Sequence, residues 1–144
     1  MKIYLDNCCF NRPFDDQKQL RIKLETEAKL DIQERIVQGK FELAWSFILD
    51  FENEANPFEQ RKLAIKDWKA HAFVYTGSTK EILGTAERLE RMGIRSKDAL
   101  HLACAVAMRC DNFLTTDDQL VKKATDATEV KVTDPVSFIR EEIE

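Results

Sequence analysis

The sequence predicts an α/β protein, a three-layer α/β/α sandwich around a central parallel sheet of four to five strands. Two observations lead to this class. Short β-rich apolar runs alternate along the chain with longer segments of helical periodicity, and parallel strands need such crossovers. One predicted helix, over residues 96–109, is apolar almost all round, which indicates a helix packed inside the molecule. We expect residues 1–144 to form a single domain.

The first third of the chain contributes a strand, a long helix and a second strand. Residues 2–6 form a β-rich apolar run that is too short for a helix with a solvent-facing side. A helix is predicted over residues 15–38, where apolar side chains recur every four residues and Gly39 supplies the stop. The repeating positions are Leu20, Leu24, Ala28, Ile32 and Ile36. Residues 41–45 are again strand-like.

The middle of the chain is predicted to hold two helices, a strand and a third helix. The helix from Phe47 ends before Pro57, because the residue before a proline avoids helical angles, and Pro57 opens the next helix. Residues 73–76 form a brief extended run. Ser78 begins a capping box for a helix that closes at Gly93.

The last third continues the alternation. Ser96 is predicted to cap the apolar helix that runs to residue 109. The remaining elements are a strand over 112–115, a helix over 117–125, a strand over 129–132 and a last helix started by Asp134 and Pro135.

Composition and charge narrow the function classes. The chain is 44% hydrophobic and 33% charged, with 22 basic against 26 acidic residues and a net charge of −4. This balance excludes wholesale disorder and a nucleic-acid coat driven by bulk positive charge. No apolar run approaches the ~18 residues of a membrane span. The four cysteines match no zinc-ligand spacing, and the adjacent pair Cys8 and Cys9 closes no useful disulfide loop, so we expect a cytoplasmic protein. The lack of a long apolar run predicts no membrane partner.

Acidic residues stand where a parallel sheet binds ligands, which is beyond the carboxyl ends of its strands. We expect chemistry just after Asp6, Trp45, Thr76 and Thr115. Asp6 closes the first strand, Asp117 follows a later one, and Asp98 lies in the first turn of the apolar helix. Each acid also has an ordinary structural explanation. Asp6 could be a turn residue, Asp117 a helix cap, and Asp98 a partner of the helix dipole.

The helix after the second strand offers a fourth acid. Glu52 and Glu54 flank its apolar side, and periodicity does not choose between them. Four carboxylates that meet at one sheet edge would repel each other, and a bound cation is the usual remedy. Because the acids are not accompanied by a His or Cys cluster, the cation is expected to be Mg²⁺ or Mn²⁺, as one or two ions.

Four segments of the chain resemble, in order, the four signature segments of PIN-domain ribonucleases. They are Tyr4-Leu5-Asp6, Trp45-Ser46 with Glu52 six residues after the serine, Lys97 to Ala103, and Leu114-Thr115-Thr116-Asp117. The spacing within that family favours Glu52 over Glu54. Residues 7–13 depart from the family, whose first acid is more commonly followed by a sequence with threonine or serine.

The resemblance implies an endoribonuclease that needs Mg²⁺ or Mn²⁺ and hydrolyses phosphodiester bonds of single-stranded RNA. Its catalytic and metal-binding residues would be Asp6, Glu52, Asp98 and Asp117. Many small members of the family are toxins of bacterial toxin–antitoxin modules, so the resemblance also implies an antitoxin partner and a homodimer. Weaker candidates for contacts with the substrate are Asn7, Arg12, Thr115 and Thr116.

Several alternatives stay open at this point. His101, one turn from Asp98, is predicted to be a satisfied histidine on a buried helix rather than a catalytic base. A phosphoacceptor switch built on a similar doubly wound sheet would also place an Asp beside a Mg²⁺ site. A PIN-like domain that binds RNA or protein without cutting, and a nuclease that acts on DNA, are the other two alternatives.

Overall fold

Five parallel strands form the centre of the computed structural model, which describes residues 1–143. The strands are β1 (Lys2–Leu5), β2 (Glu42–Ser46), β3 (Ala72–Thr76), β4 (Asn112–Leu114) and β5 (Lys131–Thr133). They lie in the order β3-β2-β1-β4-β5, and every neighbouring pair is parallel, which confirms the predicted sheet. Phosphoacceptor receivers have the strand order 2-1-3-4-5, so the alternative of a receiver is wrong.

Helices cover both faces of the sheet, which confirms the three-layer class. They are α1 (Asn7–Asn11), α2 (Leu20–Val37), α3 (Phe47–Glu54), α4 (Glu59–Trp68), α5 (Lys80–Arg91), α6 (Ser96–Ala107), α7 (Asp118–Ala124) and α8 (Pro135–Ile143), with short 3-10 turns at Arg12–Phe14 and Lys69–His71. Helix α2 packs on α8, and α5 packs on α6. Among the described residues, none of the helices has the length and apolar character needed to cross a membrane.

The core lies between the central strands and α6, as the apolar sequence of that helix predicts. Ile3, Tyr4 and Leu5 of β1 are fully buried, because β1 has neighbouring strands on both sides and helices above and below. On α6, the buried side chains include Ala99 and Leu102. A fully buried central strand explains why its sequence is apolar without alternation.

Helix α2 begins later than its periodicity predicted. It starts at Leu20 rather than at residue 15, because residues 15–19 form a turn in which the Asp16 carboxylate accepts from the Lys18 backbone at 3.0 Å. Leu20 and Leu24 are exposed, so the predicted apolar stripe is wrong in its first two turns. Its last three members, at positions 28, 32 and 36, are buried as predicted. Gly39 follows the helix with a left-handed φ of 78°, which confirms the predicted stop.

Three predicted helix starts are displaced by one or two residues. Pro57 does not open α4, because the Asn56 side chain accepts a hydrogen bond from the Phe58 backbone and forms a turn ahead of the helix. Helix α5 is capped by Thr79 instead of Ser78, and the Thr79 hydroxyl accepts from the Ile82 backbone at 3.1 Å. Ser96 is the first residue of α6 rather than its cap.

Candidate active site

The candidate site begins where β1 ends and the chain turns into α1. The Asp6 carboxylate starts that helix, because its Oδ1 accepts from the backbone N–H of Asn7 at 2.8 Å. Thr115, fully buried at the end of the adjacent strand β4, donates to Asp6 Oδ2 at 2.9 Å. The Cys8 thiol donates more weakly to the same oxygen at 3.5 Å. Two neighbouring strand ends therefore fix the orientation of Asp6.

All four predicted acids line one cleft of about 530 Å³, which we call the acid cleft. Its lining consists of Asp6, Asn7, Cys8, Glu52, Arg95, Ser96, Lys97, Asp98, Thr116 and Asp117. The cleft lies at the carboxyl ends of β1 and β4, where the sheet topology predicts a ligand site. The predicted site after Thr76 contributes no residue to the described lining, since β3 is the edge strand and is separated from β1 by β2.

The three acids of helix α3 point to different places. Glu52 lines the acid cleft. Glu54 is exposed and pairs with Lys62 at 3.4 Å. The Asp50 carboxylate accepts from the indole N–H of Trp45 at 2.9 Å, so it serves the packing of α3 on β2. The geometry therefore brings Glu52, and not Glu54, to the other predicted acids.

His101 links the acid cleft to the core. Its Nε2 is hydrogen-bonded to Glu52 Oε1 and lies 3.8 Å from Asp6 Oδ1. Its Nδ1 lies 2.5 Å from the Tyr4 hydroxyl, which lies 2.6 Å from Ser46 Oγ. Burial alone would lower the pKa of His101, but the Glu52 hydrogen bond and the Asp6 charge raise it above its ordinary value. His101 is thus buried and satisfied, as predicted, and it also orients one of the candidate acids.

Asp98 and Asp117 complete the acidic side of the cleft. Burial and then the charges of Asp6 and Asp117 raise the pKa of Asp98, although His101 and Arg95 oppose the shift. Asp117 caps α7, because its Oδ1 accepts from two backbone N–H groups of that helix at 3.0 and 3.3 Å. The carboxylates are therefore close enough for their charges to interact.

The weaker candidates occupy different positions. Asn7 lines the acid cleft, and its Oδ1 is buried without a hydrogen-bond partner among residues 1–143. Thr115 contacts Asp6 from below and does not reach the described lining, whereas Thr116 lines the cleft. Arg12 does not line the acid cleft, since its guanidinium donates to Glu25 and Asp15.

Two cations at the cleft were not predicted from the sequence. Arg95 and Lys97, both exposed, flank the start of α6 and line the acid cleft beside Asp98. Arg95 also lines an adjoining groove of about 590 Å³, which we call the basic groove, together with Arg12 and Arg21. The sequence Arg95-Ser96-Lys97 directly before Asp98 was the available signal, because side chains in the first turn of a helix share its end.

The donor atoms fit a hard divalent cation by type but do not form a ready-made site. Carboxylate oxygens are the ligands that Mg²⁺ and Mn²⁺ prefer, and such an ion would offset the Asp6 and Asp117 charges that add to burial in raising the pKa of Asp98. Within residues 1–143, however, no three His, Cys, Asp or Glu side chains are arranged to hold a metal as they stand. Glu52 is hydrogen-bonded to His101, and Asp117 caps α7.

Comparison with known proteins identifies the fold. No protein-family model and no curated protein sequence matches the chain. The structure of VapBC2 from Rickettsia felis bound to a DNA fragment from their promoter has a TM-score of 0.60 at 12% identity, covering 93% of this chain and 98% of that chain. FitAcB from Neisseria gonorrhoeae has a TM-score of 0.59 at 14% identity, and the match covers 92% of this chain and 97% of that chain. VapBC-1 from nontypeable Haemophilus influenzae has a TM-score of 0.58 at 20% identity, and the match covers 94% of this chain and 98% of that chain. The chain has a PIN-like fold.

Proposed function

We propose that this chain, with its PIN-like fold, is a Mg²⁺- or Mn²⁺-dependent endonuclease that hydrolyses phosphodiester bonds of single-stranded RNA. The observation that supports the proposal is the acid cleft itself. Four carboxylates from four separate segments line one cavity at the carboxyl ends of a parallel sheet, and two exposed cations stand at its rim. Acids suit a divalent ion, and rim cations suit the phosphates of a nucleic acid.

The proposed roles follow from the contacts. Asp6, Glu52, Asp98 and Asp117 would hold one or two ions, directly or through water. A bound ion would supply an activated water and neutralise the charge that develops on the phosphate. Thr115 fixes the Asp6 carboxylate. His101 fixes that of Glu52, and a carboxylate whose rotamer is held by a neighbour loses less freedom when it binds.

The substrate contacts belong to the rim. Arg95 and Lys97 are exposed at the start of α6 and would attract phosphates on either side of the scissile bond. Asn7 and Thr116 offer neutral polar groups to the same strand. Arg12 is already occupied by two carboxylates, so we propose it only as a more distant contact in the basic groove.

We also propose that the chain is the toxin of a type II toxin–antitoxin pair. The three solved structures compared above, which share its fold, are toxin–antitoxin complexes. An antitoxin would bind this chain as its protein partner, and the cytoplasm stays the expected compartment. A homodimer is part of the same proposal, and two apolar side chains on the free edge strand support it. Phe73 and Tyr75 of β3 are 65% and 49% exposed on the same face of the strand.

One observation favours a second candidate, a PIN-like domain that binds RNA without cutting it. The described residues hold no preformed metal site, because Glu52 is engaged by His101. Both candidates use the acid cleft and its cations, so they differ only in whether the bound strand is cleaved.

A cleavage assay tests the proposal and separates the two candidates. Labelled single-stranded RNAs of mixed sequence, with single-stranded DNA in parallel, are incubated with Mg²⁺, with Mn²⁺ or with excess chelator. We expect metal-dependent cutting of RNA, and a loss of at least about 100-fold in rate for Asp6→Asn and Glu52→Gln, since each removes a charge from the proposed ion site.

Glu54→Gln is the matched control, because it removes the same charge from the same helix on the exposed side. It should cut like the wild type. Full activity in chelator, or equal activity of Glu52→Gln and Glu54→Gln, would contradict the proposed mechanism. RNA binding without any cleavage under all three conditions would favour the silent domain.

A further inference from the structure

A lysine is buried on helix α2 without a counterion. Lys29 is only 4% exposed, and its ammonium forms no hydrogen bond or ion pair within residues 1–143. The nearest compensation comes from two aromatic rings, with centroids 5.4 Å away for Phe10 and 5.9 Å away for Trp68. A buried ammonium that is not paired costs several kcal/mol in general, so this position calls for an acceptor.

A second buried donor lies one turn further along the same helix. Gln33 is 6% exposed, and its amide Nε2 has no hydrogen-bond partner in the described part of the chain. Lys29 and Gln33 are four residues apart, which places them on the same face of α2. A buried amide donor without a partner and an ammonium without a counterion, on one face of α2, point to a missing acceptor.

Both residues line a small cavity of about 130 Å³, which we call the Lys29 pocket. Its other walls are apolar or aromatic and come from α1, the 3-10 turn and α4, with Phe10, Phe14 and Trp68 among them. The lining includes no acidic side chain. The pocket therefore offers a cation, an amide donor and aromatic surface, and it lacks the negative group that would complete the set.

We propose that the Lys29 pocket binds a small monocarboxylate with a single-ring or branched aliphatic body. The carboxylate would accept hydrogen bonds from Lys29 Nζ and Gln33 Nε2, and the apolar body would pack against Phe10, Phe14 and Trp68. A protein cavity of roughly 150 Å³ accommodates one benzene ring, so a volume of about 130 Å³ limits the apolar body to a single ring at most, with the carboxylate at the open side of the pocket. The proposal does not rest on nuclease activity, because none of the pocket residues lines the acid cleft.

Burial of the lysine supports the same assignment. It lowers the pKa of Lys29 to about 8, and the neighbouring Cys9 opposes the shift only in part. An ammonium with this pKa still carries its proton at neutral pH for most of the time, so it can pair with an anion there.

Titration with benzoate tests the proposal, with benzyl alcohol as the neutral probe of the same ring size. Binding is followed by calorimetry and by the fluorescence of Trp68, which lines the pocket. The wild-type chain should bind benzoate saturably and bind benzyl alcohol at least about tenfold more weakly, because the alcohol cannot pair with the ammonium. Absence of saturable benzoate binding to the folded wild type would overturn the proposal.

Two substitutions locate the binding. Lys29→Met keeps an unbranched side chain of similar volume without the charge and should weaken benzoate binding at least about tenfold. Gln33→Leu should weaken it about threefold or more. Lys23→Met, on the exposed side of the same helix, is the matched control and should bind like the wild type. Circular dichroism checks that each variant folds, and Lys29→Gln replaces Lys29→Met if the latter does not. Benzoate affinity that is unchanged in the folded Lys29 variant would overturn the assignment.

Discussion

At the scale of single residues, helix α2 carries two buried charges, one of which has an oppositely charged partner while the other has none. Glu25 is 3% exposed, and its carboxylate accepts a hydrogen bond from Arg12 at 3.0 Å. Its other oxygen, Oε2, lies 3.6 Å from Arg21 Nε. Lys29, one turn later, is equally buried and has only aromatic rings beside it. The paired acid contributes to holding α2 against the preceding turn, whereas the unpaired lysine must lower the stability of the protein.

The cost of Lys29 predicts a particular dependence of stability on pH. Its folded pKa of about 8 lies below its ordinary value of 10.5, so the unfolded chain binds more protons between these pH values. The penalty is fully present below pH 8 and decreases as the pH rises toward 10.5. At neutral pH the difference between these two pKa values corresponds to a penalty on the order of 3 kcal/mol.

We therefore expect Lys29→Met to be more stable than the wild type by about 3 kcal/mol at pH 7. The difference should narrow by roughly 2 kcal/mol by about pH 9.5, because the wild-type lysine is then neutral in the folded state. Urea unfolding of both proteins at the two pH values measures this. Lys23→Met, with its side chain in solvent, should show no such change. A gap that stays constant with pH would mean that Lys29 titrates normally.

Single residues of the candidate site differ in how far the sequence alone identifies them. Asp6, Asp98 and Asp117 were recognisable because each follows a strand or begins a helix. The choice of Glu52 over Glu54 needed a resemblance, since helical periodicity places the two equally far from the apolar side of α3. The contact between His101 and Glu52 joins residues 49 positions apart, so no local pattern contains it.

At the scale of elements, the alternation of apolar runs and helical periodicity predicted where the strands and helices lie better than the capping residues predicted where the helices begin. The five strands and the seven longer helices of the described chain occur where apolar runs and periodicity indicated them. Helix α1 was not predicted, because five residues are too few for a period of 3.6 to be read. The displaced start of α5 has a simple cause: the adjacent residues Ser78 and Thr79 have similar capping potential, and only the backbone angles decide which one is used.

The capping of α5 gives a test at this scale. Thr79→Ala removes the hydroxyl that accepts from the Ile82 backbone, and we expect it to lower the free energy of unfolding by about 1 kcal/mol. Ser78→Ala should change it by less than about 0.5 kcal/mol, since Ser78 lies outside the helix. Chemical denaturation of the two variants beside the wild type is sufficient. Equal losses would show that the cap is shared, and a larger loss for Ser78→Ala would restore the assignment made from the sequence.

At the scale of the whole molecule, the net charge of −4 has to be reconciled with the polyanionic substrate that we propose. The acids of the site are concentrated at one end of the sheet, where an ion would neutralise them in the proposed mechanism. Many of the cations are held by carboxylates elsewhere, as Arg12 and Arg21 are. Composition therefore excludes a broad basic surface, but it does not register two exposed cations at the rim of a cleft.

This distribution predicts that RNA binding depends on salt through a few local contacts. The measurement uses an Asp6→Asn background, which prevents cutting under the proposed mechanism. In it, Arg95→Ala should reduce the slope of log affinity against log salt by about 0.7, because the removed contact no longer releases a counterion. The double variant Arg95→Ala with Lys97→Ala should reduce the slope by about 1.4. Fluorescence anisotropy of a labelled single-stranded RNA over a salt series measures the slope. Lys40→Ala changes the net charge equally but lies before β2, at the opposite end of the sheet, and should leave the slope unchanged. If Lys40→Ala and Arg95→Ala lowered the slope equally, the protein would be held to RNA by its overall charge, and the rim of the acid cleft would lose its proposed role.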